Sequence, residues 1–330
     1  MSARAETSGS SVSPLPAVLV LAGGPDEERA VSLESAAGVA AALREAGAVV
    51  HEVTIDRPTL DELAAMPGEV VFPVLHGVFG EGGPLQDLLV EQGRPFVGSG
   101  PTAARLAMDK LATKLVSASL GIPTLPACVL SAQDAVLSME LPVVVKPVHE
   151  GSSVGLHLCE DAAAWARAHG AASRDIKARP GRVYMVEPMV RGRELTVGVL
   201  ECGGDVSVLP IVEIAAAGGV YDYAAKYDRD DTRYVVEPEL PGGIAARCRD
   251  AAVTLVRAMG IRHLGRVDFL LDGEGAAWLL EVNTMPGFTG HSLLPMAARA
   301  AGMEMPGLCA RLVRAAMQNA ERASARCMDE

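Results

Sequence analysis

From Pro16 onward, short β-branched runs alternate with stretches of helical period, and this alternation restricts the chain to an α/β fold. AVLVLAGG reads as a strand ending in a glycine turn. An Ala-rich helix then runs from Glu28 to Ala46, stopped by Gly47, with acidic residues in its first turn. Strands are expected at Val49 to Ile55 and Val70 to Leu75, a short helix from Pro84, and a small edge strand at Phe96 to Val97. These define a first α/β lobe over 16–100. One long helix from Pro101 to Gly121 opens a central lobe over 101–187, with strands at Val143 to Lys146, Val154 to Leu158 and Val183 to Glu187 and a helix at Asp161 to Gly170. The third lobe, 188–320, has strands at Leu195 to Leu200, Val206 to Ile214, Gly265 to Leu271 and Ala277 to Val282. Its helices are expected near Gly243 to Met259, His291 to Ala300 and Gly307 to Ala320. The polar, glycine-containing segment 215–237 is long for a connection and reads as a lid, and 1–15 and 321–330 read as tails.

At 330 residues the chain can bury a sizeable core, and its 49% hydrophobic and 21% charged composition argues against general disorder. A net charge of −12 without a run of Lys and Arg argues against nucleic acid as a partner. Only five of the 29 basic residues are lysines, Lys110, Lys114, Lys146, Lys177 and Lys226, so their positions carry information. The six cysteines form no CxxC pair, which suggests neither a zinc site nor a disulfide framework. The polar start, the short apolar stretch Ala17 to Ala22 and the lack of any apolar run near ~20 residues predict a soluble, cytoplasmic protein without a membrane span.

Four constellations bear chemistry. GGPDEERAVS stands at a strand-to-helix turn, where amides favour an anion, although alone it reads as a tight turn with a capped helix. It is not a dinucleotide fingerprint, and no Walker loop occurs. LPVVVKPVHEGSSVG puts Lys146 at the end of an apolar strand before a glycine-serine loop; a phosphate or carboxylate cradle and an edge-strand lysine with a flexible turn both remain open. In GRVDFLLDGEGAAWLLEVN, two adjacent strands let Asp268 and Glu281 meet on one face, with Asn283 two residues on. Three hard oxygen donors in an apolar sheet suit a Mg²⁺ bound to nucleotide phosphates. YDYAAKYD lies inside the lid-like segment, where aromatics close over a ligand or form a surface turn.

Taken together these runs resemble the D-alanine:D-alanine ligase family of the ATP-grasp superfamily. GGPDEERAVSL, LHGVFGEGGPLQ, MDKLATK, VVVKPVHEGSSVG, MVEPMVRGRELTV, YDYAAKYD, GRVDFLL and EVNTMPGFTGHSLLPMAARAAG follow the family's order from about Val18 to Leu312. The resemblance implies three lobes, with ATP between the central and C-terminal ones. It implies that Lys110, Lys146 and Lys226 meet the ATP phosphates, with Glu150 and Ser153 beside them. Glu187 and the backbone of Met189 and Val190 would take the adenine, and Glu194 the ribose. Asp268, Glu281 and Asn283 would hold two Mg²⁺ (or Mn²⁺) ions. One D-alanine carboxylate would become an acyl phosphate and the amine of a second D-alanine would displace phosphate, with Arg266 and the Gly287 N–H stabilising the oxyanion. Glu28, Ser152 and Tyr227 would receive the first amino acid and lock the lid. His76 and Glu81 would line the site, and Ser292 and Leu293 would contact the second D-alanine. Tyr227 in place of a histidine implies amide rather than ester formation. The family's GEDG is GEGGP here, with Gly82 for the aspartate, which bears on acceptor preference. D-serine or a specialised-metabolite substrate is the alternative acceptor. A regulator without catalysis and a dehydrogenase rank lower, and a homodimer is expected.

Overall fold

A computed structural model describes residues 14–133, 135–215 and 232–329. The first sheet is parallel, with the order β2-β1-β3 formed by β1 (Val18–Gly23), β2 (Val50–Ile55) and β3 (Val70–Pro73). Every residue of β1 is buried, as a central strand with both faces covered requires. At its end Gly23 has a φ of +96°, and a Cβ there would lie 2.6 Å from the Ile55 carbonyl oxygen, so the turn demands glycine. The following helix α1 (Arg29–Glu45) is fastened to that turn by Ser32. The Ser32 hydroxyl accepts the Gly23 N–H at 2.8 Å and donates to the Val74 carbonyl. The acidic residues expected in the first turn of α1 stand just before it, with Glu28 as N-cap. Two short helices escaped the sequence reading: α2 (Leu60–Ala65), closed by a Thr59/Glu62 capping box, and α3 (Gly77–Glu81). Helix α4 (Pro84–Gln92) starts at Pro84 as expected, and Phe96 bridges Val71 in parallel.

The single helix expected from Pro101 to Gly121 is two. Asp109 is extended between α5 (Pro101–Met108) and α6 (Lys110–Ser119), and its carboxylate caps α6 by accepting the Leu111 and Ala112 N–H groups at 2.9 and 3.0 Å. The second sheet is antiparallel, ordered β4-β7-β5-β6, from β4 (Cys128–Val129), β5 (Val143–Pro147), β6 (His157–Cys159) and β7 (Tyr184–Pro188). The strand expected from Val154 begins only at His157, because Ser152, Ser153 and Gly155 all take positive φ in the preceding turn. Helix α7 (Ala162–Ala178) runs past its expected end at Gly170 and packs Trp165, Ala168 and Ala172 against Val143 and Val145.

The third sheet is ordered β11-β10-β8-β12-β13, with β9 also paired to β8. Its strands are β8 (Gly192–Cys202), β9 (Asp205–Val208), β10 (Val212–Ala215), β11 (Arg233–Val236), β12 (His263–Asp272) and β13 (Ala277–Asn283). The strand expected from Val206 to Ile214 is split into β9 and β10 around Pro210, which has no N–H for a ladder. Helices α8 (Ile244–Met259), α9 (Leu293–Ala300) and α10 (Met305–Asp329) complete the fold; α10 continues past Ala320, so 321–329 is helical rather than a tail. Of the expected lid, Arg233–Val236 is a strand, while 216–231, with Lys226 and Tyr227, lies outside the described residues.

Alternation along β12 sets up the site. Val267, Phe269 and Leu271 point into a core shared with α8 and with Ala103 and Ala107 of α5. Arg266 and Asp268 therefore project from the opposite face. Leu264, on that face, joins a second core in which Leu294, Leu312 and Phe288 pack with Val18 and Phe72 of the first sheet and Val39 of α1.

Candidate active site

The polar face of β12 and β13 is the floor of two adjoining cavities. Cross-strand pairing puts Asp268 opposite Glu281 and Arg266 opposite Asn283, with a bulge between Asp268 and Phe269. On the other side of β12, Thr196 of β8 pairs with Asp268 and donates its hydroxyl at 2.5 Å. The Arg266 guanidinium donates to both Asp268 oxygens, at 2.7 to 3.1 Å.

The first cavity is an open cleft of about 800 Å³ between the second and third sheets. Lys110, Lys146, Glu150, Ser153, Glu194, Arg266, Asp268 and Glu281 all line it. Lys110 Nζ is 3.3 Å from Glu281 and donates to the Glu150 carbonyl at 2.5 Å. The Glu150 carboxylate is occupied by Arg182, which also donates to Asp175 at 2.9 Å, and Tyr184 donates to the same Asp175 oxygen. Glu187, Met189 and Val190, expected around the adenine, are not part of the cleft lining. Glu187 is buried beneath it, 2.5 Å from Lys146 and 2.8 Å from Lys114. The Met189 N–H is already bonded to the Pro142 carbonyl at 2.9 Å. Burial alone would raise the Glu187 pKa, but the charges of Lys146 and Lys114 outweigh it and hold the carboxyl below its ordinary range.

The second cavity, about 960 Å³, brings Glu28, His76, Glu81, Ser152, Arg266, Asn283, Gly287, Ser292 and Leu293 together from three separate parts of the chain. Ser152, strained at φ +50°, donates its hydroxyl to Glu28 and so ties the glycine-serine loop to the start of α1. Ser292 Oγ accepts the Thr289 N–H at 2.9 Å, and a Cβ on Gly287 would lie 2.7 Å from that oxygen, so backbone alone fits there. Burial lowers the His76 pKa, and its Nε2 has no hydrogen-bond partner among the described residues. Burial, and then the charge of Glu28, push Glu81 up to about 8, leaving it mostly protonated at neutral pH. Thr196, Lys114 and Arg182 were assigned no role from sequence, and neither were the lining residues Glu34, Tyr234, Thr289 and His291. Nothing local marks Thr196; only its place opposite Asp268 in the folded sheet does.

The donor set fits a divalent cation. Asp268, Glu281 and Asn283 present hard oxygens on one face, and in the protein alone Arg266 and Lys110 supply the positive charge that the two carboxylates need. Asn283 Oδ1 accepts the Met285 N–H at 2.8 Å, which leaves its second lone pair available. Among the described residues no helix is long and apolar enough to cross a membrane.

A family model described as D-ala D-ala ligase C-terminus matches residues 118–314. The chain is 45% identical to the D-alanine:D-alanine ligase of Bordetella avium over 299 residues, 89% of this chain and 92% of that protein. The D-alanine:D-alanine ligase of Coxiella burnetii superposes with a TM-score of 0.80 at 24% identity, covering 96% of this chain and 99% of that one. The Bacillus anthracis D-alanine:D-alanine ligase complexed with ATP gives a TM-score of 0.78 at 26% identity, over 94% of this chain and 100% of that one. These likenesses show the α/β ATP-grasp fold expected from the sequence. The chain belongs to the D-alanine:D-alanine ligase family.

Proposed function

We propose that this protein is a cytoplasmic ATP-dependent ligase that joins two D-alanines into D-alanyl-D-alanine for peptidoglycan precursors. The observation that carries the reading is that Arg266 and Glu281 line both cavities, so one wall serves a polyanion on one side and a small amino acid on the other. Lys110 and Lys146 would neutralise phosphate oxygens, and Glu194 would accept from the ribose hydroxyls. Asp268, Glu281 and Asn283 would hold two Mg²⁺ or Mn²⁺ ions, which supply charge neutralisation when bound. The first D-alanine would be held with its ammonium toward Glu28. Its carboxylate attacks the γ-phosphorus, ADP leaves, and an acyl phosphate remains. The amine of the second D-alanine attacks that carbonyl and phosphate leaves, while Arg266 and the Gly287 N–H stabilise the tetrahedral oxyanion. Protonated Glu81 and neutral His76 add no charge of their own to the wall of the second pocket, which suits an uncharged attacking amine.

The division into lobes over 16–100, 101–187 and 188–320, the roles of Lys226 and Tyr227, the adenine contacts of Glu187, Met189 and Val190, and a homodimer belong to this proposal. Phosphate release with ATP and Mg²⁺ across D-alanine, D-serine and D-lactate tests it: D-alanine alone should support turnover and dipeptide formation. Efficient formation of D-alanyl-D-lactate with little dipeptide would contradict it, and light scattering of the purified protein tests the dimer.

A further inference from the structure

Glu187 lies between two lysines that differ in one respect. Lys114, on α6, is sealed: its side chain is 6% exposed, and it does not line the nucleotide cleft. Its Nζ forms an ion pair with Glu187 Oε2 at 2.8 Å and donates to Thr124 Oγ1 at 3.1 Å and to the Leu125 carbonyl at 3.0 Å. Thr124 in turn donates to the Leu279 carbonyl on β13, the strand that carries Glu281. Lys146, 2.5 Å from Glu187 Oε1, faces the cleft instead. One buried carboxylate and two ammonium groups leave a net positive charge, and the cation able to leave is the one beside the cleft.

A buried carboxylate that loses its sole counter-ion is strongly destabilised. If Lys146 were the only partner of Glu187, a phosphate drawing Lys146 away would strand that charge. Lys114 removes this penalty. We propose that Lys114 is a positioning residue for nucleotide binding, a sealed counter-ion that holds Glu187 in place and leaves Lys146 able to turn toward a phosphate. This rests on the reading of the cleft as the ATP site. Burial lowers the Lys114 pKa, and the Glu187 charge opposes that shift.

The test uses the full chain with Lys114→Gln, Lys114→Met and Lys114→Arg, measuring the ATP Kd by calorimetry, the KM for ATP and for D-alanine, and kcat. Lys114→Gln removes the charge and keeps two N–H donors. It should weaken ATP binding about tenfold, the usual scale of coupling between a buried group and a ligand site, with the D-alanine KM and the kcat at saturating ATP close to wild type. Lys114→Arg, which keeps the charge, should retain most of the affinity. ATP affinity at the wild-type level in a folded Lys114→Gln protein would overturn the proposal, as would parallel loss in kcat and both KM values. If Lys114→Met does not fold, Lys114→Gln still decides. A wild type that turns over D-alanine, beside a Lys114→Gln protein with unchanged ATP affinity, would overturn the role of Lys114 and leave the site reading standing. A wild type that binds no ATP would overturn both.

Discussion

The two cavities on the β12 and β13 floor handle charge in opposite ways. In the nucleotide cleft and just beneath it the charged groups are paired, Lys110 with Glu281, Lys146 and Lys114 with Glu187, and Arg266 with Asp268. In the amino-acid cavity His76 and Glu81 are buried with no ion-pair partner among the described residues, and burial shifts both toward their neutral forms. Paired charges can be exchanged for a triphosphate and its metal at little desolvation cost. Neutral buried groups accommodate a small zwitterion and the uncharged amine that attacks in the second step. Arg266 and Glu281 stand where the two regimes meet.

Removing the shared residue should have the largest effect. Arg266→Ala is expected to lower kcat about 10²- to 10³-fold, the loss typical of a missing oxyanion donor, while the ATP Kd changes far less. Equal losses in both would assign Arg266 to ground-state binding, and the contrast between the cavities would fail. Next comes the pH dependence of the amino-acid cavity. The folded chain binds the Glu81 proton more tightly than the unfolded chain does, so this contribution to stability is complete below pH 4.5 and is lost as pH rises to about 8. At about 1.4 kcal/mol per pKa unit the change amounts to a few kcal/mol, and Glu81→Gln should flatten it in urea titrations run across that range. A variant with the same pH slope as wild type would show that Glu81 is not held neutral. A smaller effect is expected from Ser152→Ala, which removes the hydroxyl donated to Glu28. It should raise the KM for the first D-alanine roughly tenfold, the scale of a hydrogen bond to a charged group, and leave the KM for ATP alone. Last, Thr59→Ala opens the α2 capping box far from both cavities, and thermal unfolding should show a loss of about 1 kcal/mol with unchanged kinetics.

What could be read from the sequence was what periodicity and turn residues encode. The period of two along GRVDFLL and WLLEVN gave the shared face of Asp268, Glu281 and Asn283, because alternation is a local property of any strand. The Gly23 turn and the Pro84 helix start were equally local. The break at Asp109 was not seen, since MDKLATK has unbroken helical period and only the capping geometry of Asp109 divides it. That break is what sets Lys110 and Lys114 at the start of a fresh helix, one facing Glu281 and the other Glu187. The burial of Glu187 under Lys146 was not legible, because it depends on how β5, β7 and α6 pack together. Thr196 was missed for the same reason: its partner lies 72 residues away on another strand. The capping box at Thr59 was legible and would have revealed α2.

The central claim is that one wall joins a nucleotide site to an amino-acid site, so cleavage of ATP must depend on the amino acid that occupies the second cavity. The direct measurement is simultaneous quantification of ADP, phosphate and dipeptide by the purified protein with ATP, Mg²⁺ and D-alanine. The three products should form in equal amounts, with negligible phosphate when D-alanine is omitted. Phosphate release that is independent of D-alanine, or that yields no D-alanyl-D-alanine, would contradict the claim.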